Sequence, residues 1–331
     1  MANVGEIPEE FLEDTLTEEQ LEELNRFKTY LNYLKAISLF FTKDPEASRL
    51  SDVVNSRAFS SLRGGQCPDT PRVRQLMRNA WCTEIQLSVA ARQVDFLGYS
   101  NHWAPVQLYY SVYLALRALF LASNQDVPND HSATLKCVAE MIRTRPDLFP
   151  QPWRTLCVGE PKGSTLKYPN LPPAIVVQNI SPLTNPGFAP FWDYYCLLLR
   201  TTRDRQGIIA VDEWKKRNKK KNIPKAKRTE TMDNMPPTSF FYALYRLRLR
   251  SNYADAESFL ITLENEVDNK DFHRSLRSIG WYTLKIIELL VARHIGKSQF
   301  GIWVDEFSKL DRSGLGAELV RRRWSTLQRL W

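Results

Sequence analysis

Glycine is scarce in this chain: 13 residues among 331. So few flexible positions argue against a β-rich fold built on many tight turns. No glycine-rich phosphate loop is present. The stretch GEPKGST at 159–165 has neither the required glycine spacing nor a preceding strand. Histidine is rarer still. His102, His131, His273 and His294 lie far apart, and no His-x-Glu or His-Glu-x-x-His pattern occurs, so metal-dependent hydrolysis has no sequence support. Asp193, Asp204, Asp212 and Glu213 show no metal-ligand spacing either, and no metal or cofactor is expected. The five cysteines, at 67, 82, 137, 157 and 196, are odd in number and lack the close pairs of a zinc site. They read as buried free thiols in a reducing compartment. The acidic start MANVGEIPEEFLEDTLTEEQ lacks an apolar signal region. No apolar run is long and uninterrupted enough to span a bilayer. The expectation is a soluble cytoplasmic protein without membrane contact.

What the chain has is aromatic mass and positive charge. Nine Trp, 13 Tyr and 16 Phe argue against disorder. Lysine and arginine number 45 against 37 acidic residues, a net charge of +8, which favours an anionic partner. Apolar residues at Leu21, Leu24, Phe27, Leu31 and Leu34 predict an amphipathic helix, with Glu18 and Glu19 suiting its N-terminal dipole. A second helix is expected over 71–97, with a proline well placed in its first turn. The segment 105–123 is apolar almost all round, which predicts a helix buried at the centre of a bundle. Arg117 is its one charge, expected to snorkel or to meet a carboxylate. Nine prolines between 150 and 190 mark an irregular insertion, with a short strand expected at AIVVQNI. The chain thus divides into an N-terminal helical arm (1–70), an all-α bundle (71–300) interrupted at about 150–235, and a helical tail (301–331).

Two stretches concentrate functional chemistry. Nine of the fourteen residues from 215 to 228 are cations: Lys215, Lys216, Arg217, Lys219, Lys220, Lys221, Lys225, Lys227 and Arg228. With Pro224 and almost no apolar anchor, they predict an exposed, poorly ordered basic loop. Such a loop is either a solvated decoration or a nucleic-acid contact, with Trp214 at its edge to stack on an unpaired base. The second stretch, LYRLRLRSNYADAESFL at 244–260, carries Arg246, Arg248 and Arg250 beside Tyr253, Asp255 and Glu257. Arg246 and Arg250 are one helical turn apart. Three readings fit: a salt-bridge network with the two carboxylates, a phosphate or RNA contact, or a nuclease site.

The segment YYSVYLALRALFLASNQDVPNDHSATLKCV, with its Tyr-Tyr opening and His131 in the polar turn, resembles the second helix and following turn of the HEPN family. LYRLRLRSNYADAESFL resembles that family's later helix. Together the resemblance spans roughly 72–145 and 238–296. It implies a HEPN-like helical bundle of prokaryotic toxin or antiviral type, contacting RNA or a nucleotide. It also implies a metal-independent RNase site assembled by homodimerisation. Carried over, Arg248 matches the signature arginine, and Tyr253 stands where the family has histidine. A tyrosine hydroxyl, with a pKa near 10, is a weak general base at neutral pH. The alternative is a non-catalytic subunit that binds a protein partner, as in a defence complex.

Overall fold

The computed structural model describes residues 17–43, 50–62, 64, 67, 69–92, 96–126, 130–187, 189–254, 258–259 and 266–330, with only the backbone of Lys43, Tyr253, Ala254 and Ala317. The architecture is all-α. The helices are α1 (Glu18–Lys43), α2 (Leu50–Asn55), α3 (Arg57–Ser60), α4 (Thr70–Ala90), α5 (Leu97–Asn101), α6 (Ala104–Ala122), α7 (His131–Thr144), α8 (Phe191–Asn218), α9 (Lys225–Asp233), α10 (Phe240–Leu249), α11 (Glu266–Ile295), α12 (Lys297–Leu310) and α13 (Arg322–Gln328). A π-type turn, Arg250–Ala254, continues α10. Among the described residues no strand forms. Only isolated bridges join Cys157 to Thr238 and Val158 to Lys167.

Local chemistry sets several helix starts. The Asp69 carboxylate accepts from the Arg72 amide at 3.1 Å, and Pro71 occupies the first turn of α4, where its missing N–H costs nothing. Asp130 caps α7 in the same way, through the Ala133 amide at 2.8 Å. α6 is the central helix. It packs against α4, α11 and α10, and Leu108, Val112, Leu116, Leu119 and Phe120 are all buried. Gly280 of α11 permits that close approach, since a Cβ there would lie 3.1 Å from Leu108 Cδ1. The apolar core is continuous from Phe27 of α1 to Leu327 of α13, so residues from both ends of the chain share it with the bundle.

Two buried arginines fasten the periphery. Arg323 of α13 is held between two carboxylates. Its Nη1 and Nη2 donate to Glu84 at 2.6 and 2.9 Å, and its Nε and Nη2 donate to Glu288 at 2.8 and 2.6 Å. The indole of Trp81 donates to the same Glu288 at 2.7 Å. Arg203 of α8 is equally buried but meets backbone oxygens. It donates to the carbonyls of Gly159 (2.6 Å), Pro236 (2.9 Å) and Met232 (2.6 Å). It thereby ties the proline-rich segment and the end of α9 to one point on α8.

Three sequence expectations are corrected, and that for Arg117 is narrowed to one of its alternatives. The basic stretch 215–228 is not a poorly ordered loop. Lys215, Lys216 and Arg217 form the last turn of α8, residues 219–224 turn, and Lys225, Lys227 and Arg228 open α9. Cations at a helix C-terminus complement its dipole. Lys219 then takes the left-handed conformation (φ 52°) and closes the helix, with the Lys220 amide donating to Lys215 O at 3.0 Å. α9 folds back because Gly207 leaves room for the buried Met232, whose sulfur a Cβ would overlap. The strand expected at AIVVQNI is also absent. Its polar groups are taken by α8 instead: the Gln178 amide donates to Asp193 at 2.8 Å, and Arg200 donates to Asn179 at 2.8 Å. Arg117 meets no carboxylate among the described residues and lies 5.8 Å from the centre of the Tyr113 ring. Only Cys157 and Cys196 are buried, and burial pushes both thiols up to about 12; Cys82 is exposed.

Truncating Leu116 to alanine removes a branched side chain at the centre of this packing. The loss expected is about 2–5 kcal/mol of unfolding free energy. A urea midpoint that stays within error of the parent would refute the central position assigned to α6.

Candidate functional site

α6 departs from apolar character on one stretch of surface: Tyr109, Tyr110, Tyr113 and Arg117. His131, the first residue of α7, and Tyr245 and Arg248 of α10 close over it. The Tyr109 hydroxyl and His131 Nδ1 are hydrogen-bonded at 2.8 Å. The imidazole lies 4.3 Å from the Tyr113 ring centre, 5.7 Å from Tyr110 and 5.6 Å from Tyr245, nearly parallel to the last. Arg248 approaches two of the same rings, at 5.4 Å from Tyr110 and 5.9 Å from Tyr245, and its Nη2 donates to the Tyr110 hydroxyl at 3.2 Å. His131 and Arg248 therefore share a wall of tyrosines, although 117 positions separate them in the chain.

Electrostatics fix the protonation states. Burial pushes the Tyr109 hydroxyl far above its ordinary value, with Tyr245 and Tyr113 adding to the shift and Arg248 opposing it. Tyr109 keeps its proton at any working pH. His131 moves the other way: burial lowers its pKa first, the Arg248 charge lowers it further, and Arg117 contributes in the same sense against Asp130. The imidazole is thus neutral at pH 7. The Tyr109 hydroxyl is buried and has His131 as its hydrogen-bond partner, so donating to Nδ1 satisfies it. With the hydroxyl as donor to Nδ1, the ring proton lies on Nε2, which makes no hydrogen bond among the described residues; with the roles reversed, Nδ1 carries it. In the first tautomer His131 offers a neutral N–H donor beside a guanidinium and half-exposed aromatic rings.

A groove of about 420 Å³ lies between α8 and α10 and shares Tyr245 with this cluster. Ser132 and Tyr245 stand at its head, and Arg205, Arg246 and Arg250 line it, with Glu213 as its carboxylate. Arg246 is oriented by α8, donating to Thr201 at 2.9 Å. The α8 positions facing the groove, Thr202, Arg205, Gln206, Ile209 and Glu213, follow helical spacing. The next steps of that spacing are Lys216 and Arg217, in the last turn of the helix. The groove therefore points along α8 to the basic tip, where Lys216, Arg217, Lys219, Lys220, Lys221, Lys225 and Arg228 are exposed. Within the tip Lys215 pairs with Asp212 at 3.5 Å, Lys227 with Glu230 at 2.6 Å and Arg228 with Glu160 at 3.3 Å.

The structure thus places Arg246 and Arg250 in the groove between α8 and α10, while Arg248 lies on another face of α10, against Tyr110 of α6. The Tyr253 backbone lies in the π-type turn, and its side chain lies outside the described residues, as do Asp255 and Glu257. Sequence reasoning missed the pairing of His131 with Arg248. The two lie on different helices, so their approach is not visible in either segment alone. Arg205 was missed too, being one cation in an otherwise unremarked helix. In comparisons with known proteins, no family model, no curated protein and no solved structure matches the chain. Among the described residues, no group of histidine, cysteine or carboxylate side chains is arranged to hold a metal, and no helix is long and apolar enough to cross a membrane.

The His131 titration can be followed by NMR. Its midpoint is expected below the ordinary value of about 6.5. Replacing Arg248 with Gln removes a cation that disfavours the imidazolium, so the midpoint should move upward. A midpoint that is unmoved or falls would show that Arg248 does not act on the imidazole.

Proposed function

We propose that this is a HEPN-like, RNA-contacting protein of a prokaryotic toxin or antiviral system, which binds single-stranded RNA along the α8–α10 groove. The observation that supports this reading is the convergence of His131 and Arg248 on a tyrosine wall whose Tyr245 also lines a groove carrying Arg205, Arg246 and Arg250. Tyr110 and Tyr245 offer ring faces for an unpaired base, a contact worth about 1–3 kcal/mol per base. The Arg248 charge and the His131 Nε2–H suit a phosphate oxygen. Arg205, Arg246, Arg250 and the tip lysines would follow the backbone, releasing counterions as they do so. Homodimerisation, implied by the HEPN resemblance, would bring two such grooves together and strengthen the field that draws an anion in.

Metal-independent cleavage is a second reading, favoured by the juxtaposition of a histidine with the signature arginine. In that reaction the 2′-oxygen attacks the adjacent phosphorus and the 5′-oxygen leaves. Arg248 would neutralise the charge growing on the phosphorane oxygens. In its alternative tautomer, His131 Nε2 would accept the 2′-hydroxyl proton, while Nδ1–H donates to Tyr109, and water would supply the proton taken up by the departing 5′-oxygen. The test is incubation of the purified protein with total RNA in EDTA. Cleavage that falls roughly 10²-fold or more in His131→Gln, with an unchanged melting temperature, supports this chemistry. RNA that binds without being cut leaves the contact reading alone.

Binding itself is tested by titrating a labelled single-stranded RNA at several salt concentrations. Changing Lys219, Lys220 and Lys221 to Ala should weaken binding and flatten the plot of log affinity against log salt, by about 0.7 for each phosphate that is no longer neutralised. Arg248→Gln should weaken binding with a smaller change of slope, because part of its effect is the loss of an ordered base and phosphate site. Absence of binding at low salt would overturn the proposal and favour a partner-binding subunit whose basic tip meets an acidic protein.

A further inference from the structure

A second cationic cavity lies about 200° around α6 from Tyr109, where Ser111 faces the space between α4, α11 and α13. It measures about 620 Å³. Arg274, Arg277, Lys285 and Arg322 line it, together with Trp281 and Ser278. Two carboxylates, Glu84 and Glu318, also line it, and both are largely committed to other arginines. Glu84 is held at both oxygens by Arg323, at 2.6 and 2.9 Å, and Glu318 pairs with Arg92 at 2.9 Å. Arg274 has a long contact of 3.8 Å with Asp271, whose other oxygen takes Lys35 at 2.6 Å. Arg277, Lys285 and Arg322 make no side-chain hydrogen bond or ion pair among the described residues, and Arg277 Nε is buried without a partner.

This arrangement is costly unless something fills it. Half-buried cations disfavour one another, and a buried guanidinium N–H without an acceptor carries its desolvation penalty uncompensated. Burial lowers the pKa of both Arg277 and Lys285; Glu318 and Glu84 oppose the shift at Arg277, and the buried Arg323 adds to it at Lys285. The Arg323–Glu84–Glu288 triad supplies one excess negative charge, fewer than the cations that face the cavity. Trp281, packed 5.0 Å from the Arg323 guanidinium carbon, gives the cavity an aromatic wall. We propose that this cavity binds the di- or triphosphate group of a small molecule, with Arg277 and Lys285 as its inner donors and Arg274 and Arg322 at its mouth. The volume accommodates a nucleoside triphosphate, whose base would meet Trp281. This site is separate from the RNA groove and does not depend on it.

Isothermal titration with inorganic tripolyphosphate and, separately, with ATP tests the assignment in the full-length protein at moderate salt. Both should bind, and Trp281→Phe should remove the ligand-induced change in tryptophan fluorescence. Arg277→Gln combined with Lys285→Gln should weaken binding roughly tenfold or more for each charge-assisted hydrogen bond removed. Arg322→Glu, a reversal at an exposed position that leaves the core intact, should weaken binding as well and covers the case in which the double variant misfolds. RNA affinity should be unchanged in Arg322→Glu, which separates this site from the groove. Equal affinity for the two probes assigns recognition to the phosphates alone, and tighter ATP binding adds the base. Failure of both probes to bind at millimolar concentration, or binding indifferent to Arg322→Glu, would overturn the proposal.

Discussion

The fold depends on hiding α6. A helix with apolar side chains on nearly every face cannot rest on a surface, and α4, α10 and α11 must all close on it before it is dry. Burying each large side chain there contributes roughly 1.5–3 kcal/mol. The same constraint locates the chemistry. Where α6 carries Tyr109, Tyr110, Tyr113 and Arg117, the covering helices must bring polar partners, and they bring His131, Tyr245 and Arg248. Where it carries Ser111, they leave a cavity lined by cations. Both candidate sites are interruptions in the coat around one buried helix, so their residues are positioned by core packing and not by mobile loops.

The proline-rich segment has no ladder to hold it, and Arg203 takes that role instead. A buried cation is tolerable only when its donors are met, and the Gly159, Met232 and Pro236 carbonyls meet them. Burial still lowers the pKa of Arg203, since neutral oxygens replace a carboxylate. One consequence reaches the groove. Arg203 sits beside Thr202, and the carbonyls it binds fix the end of α9 and the approach to α10. The separation between α8 and α10, which is the width of the groove, is therefore set partly from the rear of α8.

The all-α class was readable because helical periodicity in α1, α4, α6 and α11 is long and repeated. Helix 104–122 was legible almost to the residue, from apolar composition alone. The basic tip was not. Its cations suggested disorder, because charge-rich composition says nothing about a Gly207–Met232 contact that folds one helix against another. The strand expected at AIVVQNI failed for a related reason: β-branched residues describe a willing segment, but no neighbour offers an edge. At the site, Arg248 and the Tyr-Tyr pair were visible, as was His131. Their convergence was not, because it is a property of helix packing across 117 positions.

The buried and half-buried arginines can be sorted by what holds them, and the sorting separates support from function. Arg323 is saturated by two carboxylates, and Arg203 by carbonyls. Each has its donors directed at the protein, and each joins distant segments. Removing one partner of the Arg323 triad would strand a buried charge, at a cost of about 3–5 kcal/mol. Such groups have little left to offer a ligand. Arg248 lies across the Tyr110 and Tyr245 rings, an arrangement that orients its guanidinium by aromatic faces and not by a network joining distant segments. Arg277 and Lys285 are met by no hydrogen-bond or ion-pair partner among the described residues, although burial acts on both. Folding alone does not reward that placement. It lowers the stability of the empty protein and is recovered only when an anion enters, which is the thermodynamic form of a binding site.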